Sequence, residues 1–115
     1  PPVDDRMIQR IVAMGKQARI EVVQAKRAFI DRDVAMARNL VVLDDEVDRQ
    51  NRECFALAIE IGDDHDRREW AMTMLLAARA LERIGDNAVD VGEQVAFIVT
   101  GLFREFEDAS HPEVR

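Results

Sequence analysis

Two pairs of carboxylates set the chemical question this sequence poses. Glu82 and Asp86 stand four residues apart, and so do Asp44 and Asp48. On a helix, residues at i and i+4 lie one turn apart on the same side. Asp90 and Glu93 continue the edge that Glu82 and Asp86 begin. Carboxylates are hard oxygen donors, which suit Mg²⁺, Mn²⁺ or iron, with zinc a further candidate. Gathered in one place they repel: two unit charges about 4 Å apart cost about 4 kcal/mol at an effective dielectric of about 20. Protonation, arginine or a metal ion must then neutralise them. The same residues also fit a solvated face laced with salt bridges, because Arg79 and Arg83 lie near Glu82, and Arg49 and Arg52 near Asp48. Spacing alone leaves both readings open.

Other chemistries find little support. The two histidines, His65 and His111, form no Glu-x-x-His pair, which counts against a ferritin-like di-iron centre. Ser110 is the only serine and lies in the tail, so a serine–histidine–acid triad has no material. There is no Gly-x-x-x-x-Gly-Lys phosphate loop and no dinucleotide fingerprint. The single cysteine, Cys54, excludes an internal disulfide and fits a reducing cytoplasm. It falls on an apolar stripe and reads as a packed thiol. No enzymatic activity is expected.

The elements that must hold the carboxylates are long helices. All three prolines (Pro1, Pro2 and Pro112) lie at the ends, and the interior has none. Strand signals are weak. The pattern predicts helices over about 4–30, 34–61 and 67–106 in a single domain covering 1–115. Asp33 should cap the second helix, and Gly62 should end it. Asp66 with Glu69 resembles a capping box for the third, which would span about 60 Å, although Gly101 could break it early. Short connections between long helices imply an all-α, antiparallel up-down-up three-helix bundle.

Apolar residues recur at 4-3 spacing on all three helices. The first has Met7, Ile11, Met14, Ala18, Ala25 and Phe29, widened by Ile8, Val12 and Val22. The second has Met36, Leu40, Leu43, Val47, Cys54, Leu57 and Ile61; beside it run Ala37, Val41, Asp44, Asp48, Asn51, Phe55 and Ala58. On the third, Trp70, Met74, Ala77, Leu81, Ile84, Ala88, Val91, Val95, Ile98 and Leu102 read as core. The adjacent stripe contains Ala71, Ala78, Glu82, Gly85, Gly92 and Phe103, with Glu82 its sole charge. Thus acidic pairs interrupt apolar stripes on two helices. Gly85 and Gly92 each cost about 1 kcal/mol relative to alanine inside a helix. They imply close approach of a neighbour, and at Gly85 also room for an ion or partner.

Composition narrows the class further. With 115 residues, 48% apolar and 34% charged, the chain can bury a core and is too polar to be a membrane protein. The acidic start carries no signal-peptide pattern. The net charge of −7 argues against direct nucleic-acid binding, which needs a basic face.

The run Leu81-Glu82-Arg83-Ile84-Gly85-Asp86-Asn87-Ala88-Val89-Asp90-Val91-Gly92-Glu93-Gln94 resembles the signature of the PhoU family, whose core is E-R-I-G-D. Phe97-Ile98-Val99-Thr100-Gly101 is similar to the segment closing the family's second repeat, and Asp44-Asp45-Glu46-Val47-Asp48 to its D-x-x-(I/V)-D element. Met14, residues 25–29 and Asp33 also fall where the pattern expects them. PhoU proteins have two three-helix repeats in tandem, so the resemblance implies one repeat here, and the tail favours the C-terminal one. It also implies a cytoplasmic negative regulator of phosphate-starvation signalling. Such a regulator works with the ATPase of a phosphate ABC transporter and with a membrane sensor histidine kinase, and forms homodimers. The family's (E/D)-x-x-x-D motifs bind metal, which carries ligand roles to Asp44, Asp48, Glu82 and Asp86. Asp90 stands where the family often has asparagine, adding a carboxylate that could serve the site. Asn87 stands where histidine is common, which favours oxygen-loving metals.

Overall fold

The computed structural model describes residues 3–101. Three helices make up the architecture: α1 (Asp5–Asp31), α2 (Val34–Gly62) and α3 (Arg68–Thr100), with a 3-10 turn (His65–Arg67) before the last. No strand occurs among the described residues. None of their helices is long and apolar enough to cross a membrane.

Each helix starts and stops for a local reason. Asp4 caps α1, its carboxylate accepting the Arg6 N–H at 2.9 Å. At the other end Arg32 adopts the left-handed conformation (φ 54°) and donates its N–H to the Ala28 carbonyl. Asp33 caps α2 as expected, accepting the Met36 N–H at 3.0 Å. Gly62 plays a different part from the one expected. It is the last residue of α2, and the cap after it, Asp63, has ordinary right-handed geometry. Nor does Asp66 start α3: Asp64 caps the 3-10 turn by accepting the Asp66 N–H, and α3 follows without a side-chain cap. Gly101, at φ 73°, closes α3. The expected continuation to Phe106, with Leu102 and Phe103 on its stripes, lies outside the described residues.

The core runs through the middle of the three helices, and its clusters give their direction. Met7 and Met14 at the start of α1 pack with Val47, Cys54 and Ile61 from the second half of α2 and with Ala71 and Ala78 at the start of α3. At the opposite end Ala28 meets Ala37, Val95 and Ala96. Between them lie Ala25, Leu40 and Ala88. The order is therefore up-down-up, in a slab of 54 × 30 × 15 Å.

Burial corrects several stripe assignments. On α3 the buried residues include Ala71, Ala78, Gly85, Gly92 and Ala96 together with Ala88 and Val95 of the expected row, whereas Ile84, Val91 and Ile98 of that row are exposed. Because α3 packs against both α1 and α2, its line of closest approach belongs to small side chains. Larger ones are turned to the flanks. For the same reason Ala28 rather than Phe29 is buried on α1, where Phe29, Ile8, Val12 and Val22 are exposed, and Phe55 is exposed on α2. Trp70 packs half-buried against the first cluster. Cys54 is fully buried, its Sγ 3.8 Å from Met14 Sδ.

Candidate metal centre

The α2 pair and Asp86 of the α3 pair come together between the two helices, with Asp44 buried, Asp48 half-buried and Asp86 exposed. Carboxylate oxygens of Asp44, Asp48 and Asp86 lie within 4.8 Å of one another. They open into a cavity of about 470 Å³ whose walls also include Val41, Asp45, Val89, Asp90 and Glu93. Of the five residues the sequence suggests as ligands, the structure gathers three into one cluster. Asp90 lines the same cavity but stands outside the cluster. Glu82 is half-buried, and its charge is felt by Asp48, yet it too lies outside.

A further carboxylate, Glu21 on α1, is absent from the sequence reading and, like Glu82 and Asp90, stands outside the cluster of three. It is fully buried, and burial together with the charges of Asp48 and Asp86 holds its carboxyl above the usual carboxylate range. Glu21 and Asp44 press together against α3 at Gly85. A Cβ added there would stand 2.3 Å from Asp44 Oδ1 and 3.1 Å from Glu21 Oε1. The glycine between Glu82 and Asp86 is therefore what admits these oxygens, and alanine would displace them. A signal for Glu21 existed in the sequence. The α1 stripe Met7, Ile11, Met14, Ala18, Ala25 skips one 4-3 position, and Glu21 fills it.

Two glutamines fix this register. Gln17 Nε2 donates to the Leu43 carbonyl at 3.2 Å, and Gln24 Nε2 donates to the Met36 carbonyl at 2.8 Å. They lie on α1 to either side of Glu21 and hold it opposite Asp44. The bonds tie α1 to the α2 backbone at two points, so Glu21 cannot slide away from Asp44 without breaking one of them.

Electrostatically the site is a concentration of unneutralised acid. Burial, contact with Glu21 and the charges of Glu21, Asp48 and Asp86 push the Asp44 carboxyl up to about 9. Burial likewise raises Glu21. Asp48 is raised by burial and by Asp86, Glu82 and Asp45, against a weaker pull from Arg52. The arginines that could have made this a salt-bridged face are engaged elsewhere or stand off. Arg49 pairs with Glu46 and Glu53 rather than with Asp48. Among the described residues, no lysine or arginine forms an ion pair with Asp44, Asp48 or Asp86. Both oxygens of Glu21 and Oδ1 of Asp44 are buried without a hydrogen-bond donor.

These residues fit a cation. The spread of the Asp44, Asp48 and Asp86 oxygens is about twice a metal–oxygen bond of roughly 2.0–2.6 Å. The orphaned oxygens supply the acceptors that such an ion needs. An all-carboxylate donor set matches magnesium, manganese or iron better than softer metals.

The molecule is thus an all-α bundle of three long helices with a carboxylate-walled groove between the second and third. The sequence profile of the PhoU domain matches residues 11–95, and the chain belongs to the PhoU family. It is 37% identical over 84 residues to the phosphate-specific transport system accessory protein PhoU homolog 1 of Thermotoga maritima, covering 71% of this chain and 36% of that relative. It is 33% identical over 100 residues to the corresponding PhoU homolog of Deinococcus radiodurans, covering 84% of this chain and 42% of that one. Against PhoU homolog 1 of Mycobacterium tuberculosis (strain ATCC 25618 / H37Rv) it is 32% identical over 104 residues, 90% of this chain and 43% of the relative. The chain thus spans less than half the length of these relatives. No solved structure matches it.

Proposed function

We propose that this chain is a metal-binding, non-enzymatic regulatory repeat that tunes phosphate uptake and phosphate-starvation signalling. The observation that carries the metal claim is the convergence of Asp44, Asp48 and Asp86 with no ion-paired lysine or arginine among the described residues. Metal relieves the repulsion and locks α2 to α3, so that the outer surface of the bundle presents one shape when loaded. The metal is structural or interaction-tuning, and no residue of the groove is assigned a catalytic role. The phosphate assignment is supported by the relatives, which are phosphate-specific transport accessory proteins. Its partners on this reading are the ATPase of a phosphate ABC transporter and a membrane sensor histidine kinase, in the cytoplasm, with the protein acting as a homodimer.

Thermal melting tests the site. Mn²⁺ or Mg²⁺ should raise the melting temperature of the metal-free protein, and Asp86→Ala should abolish the increment. A melting curve indifferent to both ions would end the metal reading.

A second reading has its own support. Phe29, Ile84, Val91 and Ile98 are exposed apolar side chains, the kind of surface a helical dimerisation or adaptor module buries. On that reading the chain works without metal, and capture of the transporter ATPase ignores chelator. Loss of capture on adding chelator selects the metal-bound form.

A further inference from the structure

Glu21 is the one charged side chain of α1 that the bundle swallows whole. Its neighbours along the buried line of that helix are Met14, Ala18, Ala25 and Ala28, all apolar. A side chain without charge would fill the position at no electrostatic cost. Instead the chain holds a carboxylate at zero exposure whose oxygens meet no N–H donor and no cation, only the carboxyl of Asp44. Such a group is unfavourable in the isolated bundle, because water is lost and nothing replaces it. An unpartnered acceptor at this depth implies a cationic partner that arrives from outside.

The position of Glu21 says where that partner would be. Its Oε1 and Asp44 Oδ1 share the space left by the missing side chain of Gly85, and Asp44 belongs to the Asp44, Asp48 and Asp86 cluster. Resting on the metal reading above, we propose that Glu21 is a further ligand of that centre, contributed by α1 from the interior side. The (E/D)-x-x-x-D pairs supply carboxylates from α2 and α3 only. Glu21 makes the site a junction of all three helices, adds a fourth negative charge, and favours ions that accept several hard oxygens. Binding then fastens α1 to the other two helices, at the level where Gln17 and Gln24 already hold its register.

Mn²⁺ titration of the metal-free protein by calorimetry, with melting curves in parallel, tests this in the wild type and in Glu21→Gln, Glu21→Met and Glu21→Asp. Glu21→Gln and Glu21→Met should bind Mn²⁺ at least tenfold more weakly, the scale on which partners at a metal site act. Both should melt higher than wild type without metal, because an unpaired buried carboxylate has gone, and both should gain less on loading. Glu21→Asp keeps the charge but shortens the reach, so a ligand role predicts weakened binding there as well.

Wild-type affinity in Glu21→Gln and Glu21→Met overturns the Glu21 proposal and leaves the Asp44, Asp48 and Asp86 site standing. Wild-type affinity in Glu21→Asp alone reduces Glu21 to a distant charge and overturns ligation. Metal-free Glu21→Gln and Glu21→Met proteins that melt below wild type would show that the carboxylate already has a stabilising partner, which also overturns it. If the wild type takes up no Mn²⁺, the metal centre itself fails and this proposal with it.

Discussion

Two levels of the bundle, seven residues apart on both α1 and α3, solve the same packing problem with opposite chemistry. At one level α1 supplies Met14 and α3 supplies Ala78, with Cys54 and Val47 of α2 in the same apolar cluster. At the next, α1 supplies Glu21, α2 Asp44 and α3 Gly85. Both place a minimal side chain on α3 where the helices approach, and in both the α1 side chain is fully buried. The first is stable as it stands, because sulfur and carbon fill the space and need no partners. The second leaves three carboxylate oxygens without donors. The comparison teaches that backbone geometry and burial do not tell a core layer from a candidate binding site. The distinction lies in whether the buried atoms are satisfied.

The largest expected effect is in the apolar level. Met14→Ala removes a fully buried side chain and should cost about 2–5 kcal/mol in urea unfolding, with the gain on metal addition retained. Loss of that gain would mean the two levels are not independent. Gly85→Ala comes next, costing about 1–3 kcal/mol by overpacking, because its Cβ collides with Asp44 Oδ1. Unlike Met14→Ala, it should eliminate the metal-dependent rise in melting temperature. If Mn²⁺ still stabilises Gly85→Ala fully, the glycine is not what admits the oxygens.

A pH dependence comes last, read as a gradual slope over several pH units and not as a single step. Asp44 ordinarily titrates near 3.8 and is raised to about 9 in the fold, and Glu21 and Asp48 shift the same way. The folded state therefore binds more protons than the unfolded chain between these values, and stability declines as pH rises through that window. Metal-free protein should melt progressively lower from about pH 5 to about pH 9. Asp44→Asn should flatten the slope, whereas Met14→Ala should leave it intact. A melting temperature that climbs with pH over this range would contradict the buried-acid description.

Much of this was legible beforehand. The absence of interior proline, the 4-3 spacing and Asp33 located the starts of all three helices and the ends of the first two within a residue or two, and the E-R-I-G-D run pointed to the PhoU family. Asp44 and Asp48 were visible as charges interrupting an apolar stripe, and Asp86 as the carboxylate one turn on from Glu82. What misled was side-chain size. Ile84, Val91 and Ile98 look like core by hydropathy, as Ala88 and Val95 of the same row are, but α3 lies against two helices at once, and the alanine–glycine row takes much of the contact. Glu21 escaped notice because a single charge on an apolar stripe reads as a gap when only the apolar members are counted.

Most helix boundaries, the Asp33 cap and the two acidic pairs are readable from the sequence, because they depend on neighbours within about one helical turn. Only the tertiary structure decided that Glu21 of α1 stands behind Asp44 of α2 over Gly85 of α3, and that Glu82 and Asp90 fall outside the cluster. Those relations depend on rotation and register between helices. The packing of small against large side chains sets both, together with the tethers from Gln17 and Gln24 to the α2 backbone, and no periodicity within one helix encodes them.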